Sequence, residues 1–244
     1  MKVTDYNKTP INNIKDWEEK FFKGTQKEQH WKKGRSAYSL AEFVMNNNGA
    51  ATITAIVSKI IGKNVVLEKA IPEWEVRFDE FGHGREHDLG IWGKVEATNE
   101  TLFIGLEAKV DERFGDRVSD AFIVAKTKQL NDISTNAPQR IEKLLQRNFK
   151  PLKVTHWNLR YQFLYATVGT TSEGADISVL LVIVFKTDSY DKQIGKENYK
   201  DYGKFLNAIK AEKIWGDKDI EAHKISVDNK TLYSIYVSIK HETS

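Results

Sequence analysis

The feature that most constrains the fold is an aliphatic stretch at residues 177–186, with SVLLVIVF at its centre. A strand that is apolar on both faces is typical of the interior of a sheet covered on each side by other elements. The uninterrupted apolar run, residues 179–185, is far shorter than the ~20 residues that a membrane helix requires. The first residues contain no apolar targeting segment. We therefore expect a soluble, unexported α/β protein with a central sheet and no membrane partner.

Length and composition favour one domain and exclude several kinds of site. The chain has 244 residues, of which 40% are hydrophobic, and shows neither a repeat nor a linker, so we expect a single domain over residues 1–244. The absence of cysteine excludes disulfides, zinc fingers, iron–sulfur clusters and thiol nucleophiles. It is compatible with a reducing compartment, and we expect the protein to be cytoplasmic.

Periodicity predicts helices before and after a group of strands. Apolar residues at helical spacing predict helices over 12–23, 37–45 and 51–61, the second capped by Ser36. Alternation predicts strands at 74–78, 86–92 and 101–110, which should form a meander. Residues 116–150 are expected to be helical; residues 159–168 fit a helix or a strand, and we choose a helix. A helix at 199–211 and a strand at 232–239 complete the prediction.

Three charged residues on two of these strands are candidates for metal-dependent chemistry. Glu107 and Lys109 share one face of their strand, because side chains at i and i+2 project together. If the preceding strand pairs with this one, Asp88 can lie opposite Glu107. Two such carboxylates repel each other unless a divalent cation lies between them, and Mg²⁺ is the natural occupant. Lys109 would orient an attacking water or offset developing negative charge.

A structural interpretation of the same residues remains open. An acid-X-Lys triplet on a strand occurs often by chance, usually as an exposed ion pair worth less than ~1 kcal/mol. The residues Asp111, Glu112 and Arg113 that follow the triplet fit mutual ion pairing better than an extension of the site.

The constellation resembles the PD-(D/E)XK nuclease superfamily, in which an acid on one strand precedes an acid-X-Lys on the next. More narrowly, the segments GRSAYSLAEFV, HDLGIWG, GLEAKVDERFG and RYQFLYATVG look like parts of an uncharacterised bacterial family within that superfamily. The resemblance implies a restriction endonuclease-like αβββαβ core, with a central mixed sheet flanked by helices, over residues 36–186. A helical insertion at about 116–156 and a C-terminal extension at 187–244 would surround that core.

The resemblance also implies site residues. Asp88 and Glu107 would be ligands for Mg²⁺ or Mn²⁺, Lys109 would be the catalytic lysine, and Glu42 is a candidate additional metal ligand. His87 stands in place of the proline of the motif. Gln162 and Tyr165 resemble the glutamine–tyrosine motif of RecB-like exonucleases at a spacing one residue shorter, so no subgroup is assigned.

Basic residues provide candidate nucleic-acid contacts. The formal net charge is only +3, but residues 126–160 contain eight basic residues against two acidic ones. A second basic cluster precedes residue 36, and such positions suit phosphate contacts. The candidates are Lys32, Lys33, Arg35, Arg85, Arg140, Lys143 and Arg147. They could equally form solvated faces.

These features together predict an enzyme, a Mg²⁺-dependent nuclease that hydrolyses phosphodiester bonds in DNA. One alternative is a catalytically inactive, nuclease-like module that binds nucleic acid. Another is an interaction protein without a nucleic-acid role, whose carboxylates form surface ion pairs. A homodimer would suit double-strand cleavage, although nothing in the apolar pattern identifies an interface.

Overall fold

The aliphatic stretch forms an interior strand of an eight-stranded mixed sheet in the computed structural model, which describes residues 1–242. The strands are β1 (Lys2–Val3), β2 (Val65–Val76), β3 (Arg85–Val95), β4 (Thr101–Lys109), β5 (Ile177–Lys186), β6 (Glu212–Gly216), β7 (Ile220–Val227) and β8 (Lys230–Lys240). The helices are α1 (Ile14–Phe21), α2 (Ser36–Asn46), α3 (Gly49–Ile61), α4 (Val118–Leu130), α5 (Ala137–Asn148), α6 (Tyr161–Ser172) and α7 (Lys192–Ala208). Short 3₁₀ turns cover Glu28–His30 and Val154–Asn158.

The strand order β1-β2-β3-β4-β5-β8-β7-β6 combines a parallel centre with antiparallel flanks. Strands β2, β3 and β4 form the predicted antiparallel meander. Strands β4, β5 and β8 run parallel to one another; β7 is antiparallel to β8, and β6 is antiparallel to β7. The parallel connection from β4 to β5 is long because it contains α4, α5 and α6.

Alternate side chains of β5 supply both halves of the core. Val179, Leu181 and Ile183 pack in a cluster with residues of α2 and α3, and the intervening residues, from Leu180 to Val184, pack in a second cluster with α5, α6 and α7. Helices therefore cover both faces of the sheet, which explains why this strand lacks the polar alternation of a half-exposed one.

Several element boundaries differ from the sequence prediction. Strand β2 begins at Val65, nine residues before the predicted start at residue 74. Its first half was not predicted because Glu68, Lys69 and a register shift between Leu67 and Lys69 break the alternation there. Helix α2 includes Ser36, so its N-cap is Arg35, whose side chain makes no capping hydrogen bond. The choice of a helix after residue 158 is confirmed by α6.

Three strands, the two-residue β1 together with β6 and β7, and one helix break were not predicted. The strand β6 has no buried residue and β7 is only partly buried, so neither produces a strong apolar pattern. The helical stretch 116–150 divides into α4 and α5. Among residues 1–242, no helix is both long and apolar enough to span a bilayer.

Candidate active site

The ends of β3 and β4 bring Asp88 and Glu107 onto neighbouring strands. The register pairs Leu89 with Leu106, and Asp88 and Glu107 are the next residues along the two strands. The Asp88 carboxylate accepts a hydrogen bond from the backbone N–H of Ala108 at 2.7 Å. The Asp88 side chain therefore accepts the N–H that a backbone carbonyl of the neighbouring strand accepts in a regular antiparallel pair.

The Glu107 carboxylate is buried and held by two neighbouring side chains. Glu107 is only 2% exposed. His87 Nδ1 lies 2.8 Å from one of its oxygens, and the Gln162 amide of α6 donates to the other. Because each carboxylate oxygen has two lone pairs, both oxygens keep acceptor capacity beyond these contacts.

Lys109 is a buried cation beside these acids. It is 6% exposed, and its ammonium nitrogen lies 3.9 Å from Glu112 Oε1. Burial by itself would lower the pKa of Lys109, but the charges of Glu112, Asp88 and Glu107 outweigh it, so the pKa is raised. The ammonium is therefore protonated at neutral pH and cannot act as a general base there.

Burial and mutual repulsion disfavour the ionised form of Asp88. Burial raises the pKa of Asp88 well above its usual range; Glu107 and Glu73 raise it further, and Lys109 and the Ala108 N–H offset only part of this. A cation bound between these groups would relieve the repulsion and favour both ionised carboxylates.

A third acid, Glu73 on β2, completes a row of carboxylates across three strands. The pairs Pro72–Leu89 and Trp74–His87 flank it, so Glu73 faces Asp88 across β2 and β3. The Glu73 backbone has φ of +51°, a left-handed conformation that non-glycine residues adopt rarely. Lys27 donates to Glu73 at 2.7 Å, but burial dominates and raises the pKa of Glu73.

The carboxylate row has the oxygen ligands that Mg²⁺ and Mn²⁺ prefer, but not a complete protein cage. Among residues 1–242, no group of three or more His, Asp or Glu side chains is arranged to hold a metal ion. Glu42 is fully buried, and His241 Nε2 lies 2.9 Å from its Oε2. A divalent ion would therefore rely on Asp88 and Glu107, and waters would complete its shell, as is usual for Mg²⁺.

The predicted nucleic-acid contacts occupy different environments. Lys32 and Lys33 are exposed just before α2, and Arg35 lies 3.2 Å from Asp111. Lys143 pairs with Glu80 and stays partly exposed. Arg147 donates to Asp228 and to the carbonyl of Phe78.

Arg140, another predicted nucleic-acid contact, is mostly buried and bound by acceptors of the protein itself. Arg140 is 8% exposed and donates to both carboxylate oxygens of Asp79 and to the carbonyls of Phe81 and His83. Its guanidinium therefore holds the loop before β3.

Two residues beside Asp88 and Glu107, the acid Glu73 and its partner Lys27, were not predicted as part of the site, and the contact of Gln162 with Glu107 was not predicted either. Glu73 lay outside the predicted strand because the strand was predicted to start one residue later. Lys27, which joins Glu73 and Glu86, comes from a segment with no apolar periodicity. Gln162 was noted only as part of a motif, and its contact with Glu107 depends on how α6 packs on β4.

Comparison with known proteins gives one match. A family described as Domain of unknown function (DUF6946) matches residues 10–241. No curated protein and no solved structure matches the chain.

Proposed function

The chain belongs to the DUF6946 family, whose description names no activity, and from its own residues we propose that it is a metal-dependent nuclease. Asp88 and Glu107 would hold Mg²⁺ or Mn²⁺, and the reaction would be hydrolysis of phosphodiester bonds in DNA. The observation that carries the proposal is the meeting of Asp88, Glu107 and Lys109 at the ends of β3 and β4.

The orientation of Glu107 and the positive charge of Lys109 suit phosphodiester hydrolysis. When bound, such an ion supplies a Lewis acid and lowers the pKa of an attacking water. Glu107 is held in one orientation by His87 and Gln162, so little reorganisation is needed to present its free lone pairs. The protonated Lys109 would donate a hydrogen bond to a non-bridging phosphate oxygen and stabilise the charge that develops there.

The order of elements is a second, independent support. Helix α3 is followed by β2, β3 and β4, then by helices ending in α6, and then by β5. This is the αβββαβ order of the PD-(D/E)XK core that the motif resembles. Asp88 lies on β3 and the acid-X-Lys triplet on β4, the next strand, which supports the proposal because the motif needs two successive strands.

A binding module without catalysis is the second candidate. Both oxygens of Glu107 already accept hydrogen bonds, and residues 1–242 contain no three-ligand cluster. A site of this kind would retain the exposed basic residues Lys32 and Lys33 and bind nucleic acid in a salt-sensitive way.

The first experiment is a calorimetric titration of Mn²⁺ into the wild type and Glu107→Gln, followed by a cleavage assay on DNA with Mg²⁺ or Mn²⁺. We expect metal binding that is lost in Glu107→Gln. We also expect cleavage that falls by about 10²–10³-fold in Lys109→Met, because a preorganised donor to the developing charge is removed. Asp88→Asn should abolish cleavage.

Matched controls use the same substitutions at exposed positions. Lys94→Met on β3 and Asp120→Asn on α4 remove charges outside the site and should leave cleavage unchanged. Circular dichroism should show that all variants are folded. Wild-type turnover in Asp88→Asn or Lys109→Met would contradict the proposal, and salt-sensitive DNA binding without cleavage would favour the binding module.

A further inference from the structure

A cavity of about 340 Å³ lies between α4 and α6, beside the candidate active site. Gln162 connects the two, because it lines the cavity and donates to the Glu107 carboxylate. A group bound in the cavity would therefore lie one side chain away from the proposed reaction centre.

One wall of the cavity is aromatic and cationic. The guanidinium carbon of Arg85 lies 5.4 Å from the ring centre of Tyr161 and 5.6 Å from that of Tyr165. The two rings are 5.3 Å apart and nearly perpendicular, at 77°. Aromatic rings and guanidinium groups are the side chains on which unpaired nucleobases stack.

Two buried polar atoms in this wall lack partners. Within residues 1–242, neither Arg85 Nε nor Tyr161 Oη has a hydrogen-bond partner, although both atoms are buried. Tyr161 is 8% exposed. Buried polar groups in native proteins are nearly always satisfied, so such atoms need an explanation. A nucleobase presents keto oxygens and ring nitrogens that could accept from both once the Arg85 and Tyr161 side chains turn toward the cavity.

The opposite wall combines apolar groups with a cation. Val124 and Ala125 of α4 line the cavity together with Ile141 of α5. Lys128, one turn further along α4, also lines it and is exposed. The α4 side of the cavity is therefore apolar at Val124 and Ala125 and positive at Lys128, and the acid Asp116 also lines the cavity.

We propose that this cavity binds an unpaired nucleobase of the strand being cleaved, so that the substrate is single-stranded or frayed nucleic acid. The inference rests on the proposed function and adds the substrate class. A base inside a duplex is paired and stacked, and entering this pocket would require it to leave the helix at a cost in free energy. Arg85, Tyr161 and Tyr165 would then determine the preference for a free strand.

The test is fluorescence anisotropy with labelled oligothymidylate, in EDTA, on the full-length protein. We expect tighter binding of this strand than of the oligothymidylate–oligoadenylate duplex. Val124→Glu places a carboxylate in the cavity wall and should weaken strand binding by about tenfold or more, in line with the loss of one stacked base.

Ile123→Glu is the matched control. Ile123 is 61% exposed and Val124 is 58% exposed on the same helix, but only Val124 lines the cavity. Both variants add the same charge, so a non-specific electrostatic effect would weaken binding equally. Tyr161→Phe is a second variant that fills the same space and removes only the unpartnered hydroxyl, and it should also weaken strand binding.

The outcomes separate this inference from the proposed function. No binding of oligothymidylate, equal affinity for strand and duplex, or equal effects of Val124→Glu and Ile123→Glu would overturn the pocket assignment, whatever the cleavage assay shows. Absence of metal-dependent cleavage would instead contradict the nuclease proposal. Selective loss of strand binding in Val124→Glu would still support the pocket in that case.

Discussion

At the residue scale, the guanidinium of Arg140 shows how burial changes the role of a basic side chain. The same helix, α5, carries Arg140 inward and Lys143 outward. Both bind acids of the loop between β2 and β3, but only Arg140 is buried with its partner Asp79. Positive charge in a sequence therefore indicates a nucleic-acid contact only when the side chain reaches the surface.

The residue-scale prediction is that Arg140→Ala destabilises the fold. Removing one partner of a buried ion pair leaves Asp79 uncompensated, and the free energy of unfolding should fall by about 3–5 kcal/mol. Urea denaturation followed by circular dichroism measures this loss. Lys143→Ala removes an exposed pair and should change stability little. A stable Arg140→Ala protein with weakened DNA binding would contradict this prediction and support Arg140 as a nucleic-acid contact.

Residues of the site were predictable where they followed strand alternation. Asp88, Glu107 and Lys109 could be placed because two neighbouring strands fix which side chains approach each other. Glu73 could not, because its left-handed backbone interrupts the alternation of β2. The contacts of Glu107 with His87 and Gln162 join residues from β3, β4 and α6, and no local pattern encodes them.

At the element scale, predictability followed the strength of burial. Strand β5 was predicted with its observed bounds because both of its faces are buried. Strand β2 contains Pro72. The short β1 pairs only with Lys69 and Ala70, so Pro72 lies on the edge of the sheet, where a proline is tolerated. Edge strands such as β6 carry little apolar signal and were missed.

The short turn Val154–Asn158 gives the element-scale prediction. His156 in this turn is 4% exposed, stacks on Phe149, and accepts the Lys153 N–H through Nδ1. Burial lowers the pKa of His156, and the charge of Lys153 lowers it further. The folded state therefore binds a proton less readily than the unfolded state does.

Stability should accordingly fall as the pH drops below the ordinary histidine pKa of about 6.5 and approaches the lower folded value. Thermal unfolding at a series of pH values measures the slope. His156→Phe should reduce this loss of stability at low pH. His83→Gln, at a side chain that is 94% exposed, should not change the loss. An identical slope in His156→Phe and the wild type would contradict the assignment.

At the scale of the whole molecule, one continuous sheet joins the expected core and the expected C-terminal extension. The extension supplies β8, which pairs with β5 from Ser178 to Lys186. Without β8, the most apolar strand of the protein would become an exposed edge. The segment 187–242 therefore shares one sheet and one core with residues 36–186.

Truncation tests this conclusion. We expect a protein ending at residue 186 to aggregate, because the β5 edge becomes exposed and the β5 core residues lose the β8 side chains packed with them, including Leu232 and Ile235. Size-exclusion chromatography and circular dichroism, with the full chain as reference, provide the measurement. A monomeric, cooperatively unfolding truncated protein would show that residues 1–186 are an independent unit.

The parallel centre of the sheet also has a consequence for the order of folding. Leu102 pairs with Ile177, and Ser178 with Leu232, so each parallel pairing closes a long loop. The antiparallel pairs β2–β3 and β7–β8 join neighbouring segments, and we expect pulsed hydrogen exchange to detect their protection first. Asp88 and Glu107 meet in the equally local β3–β4 pair, but Gln162, which holds the Glu107 carboxylate, comes from α6 within the long connection between β4 and β5. A nascent chain would therefore acquire its proposed phosphodiesterase centre only as folding finishes, which limits hydrolysis by incompletely folded copies.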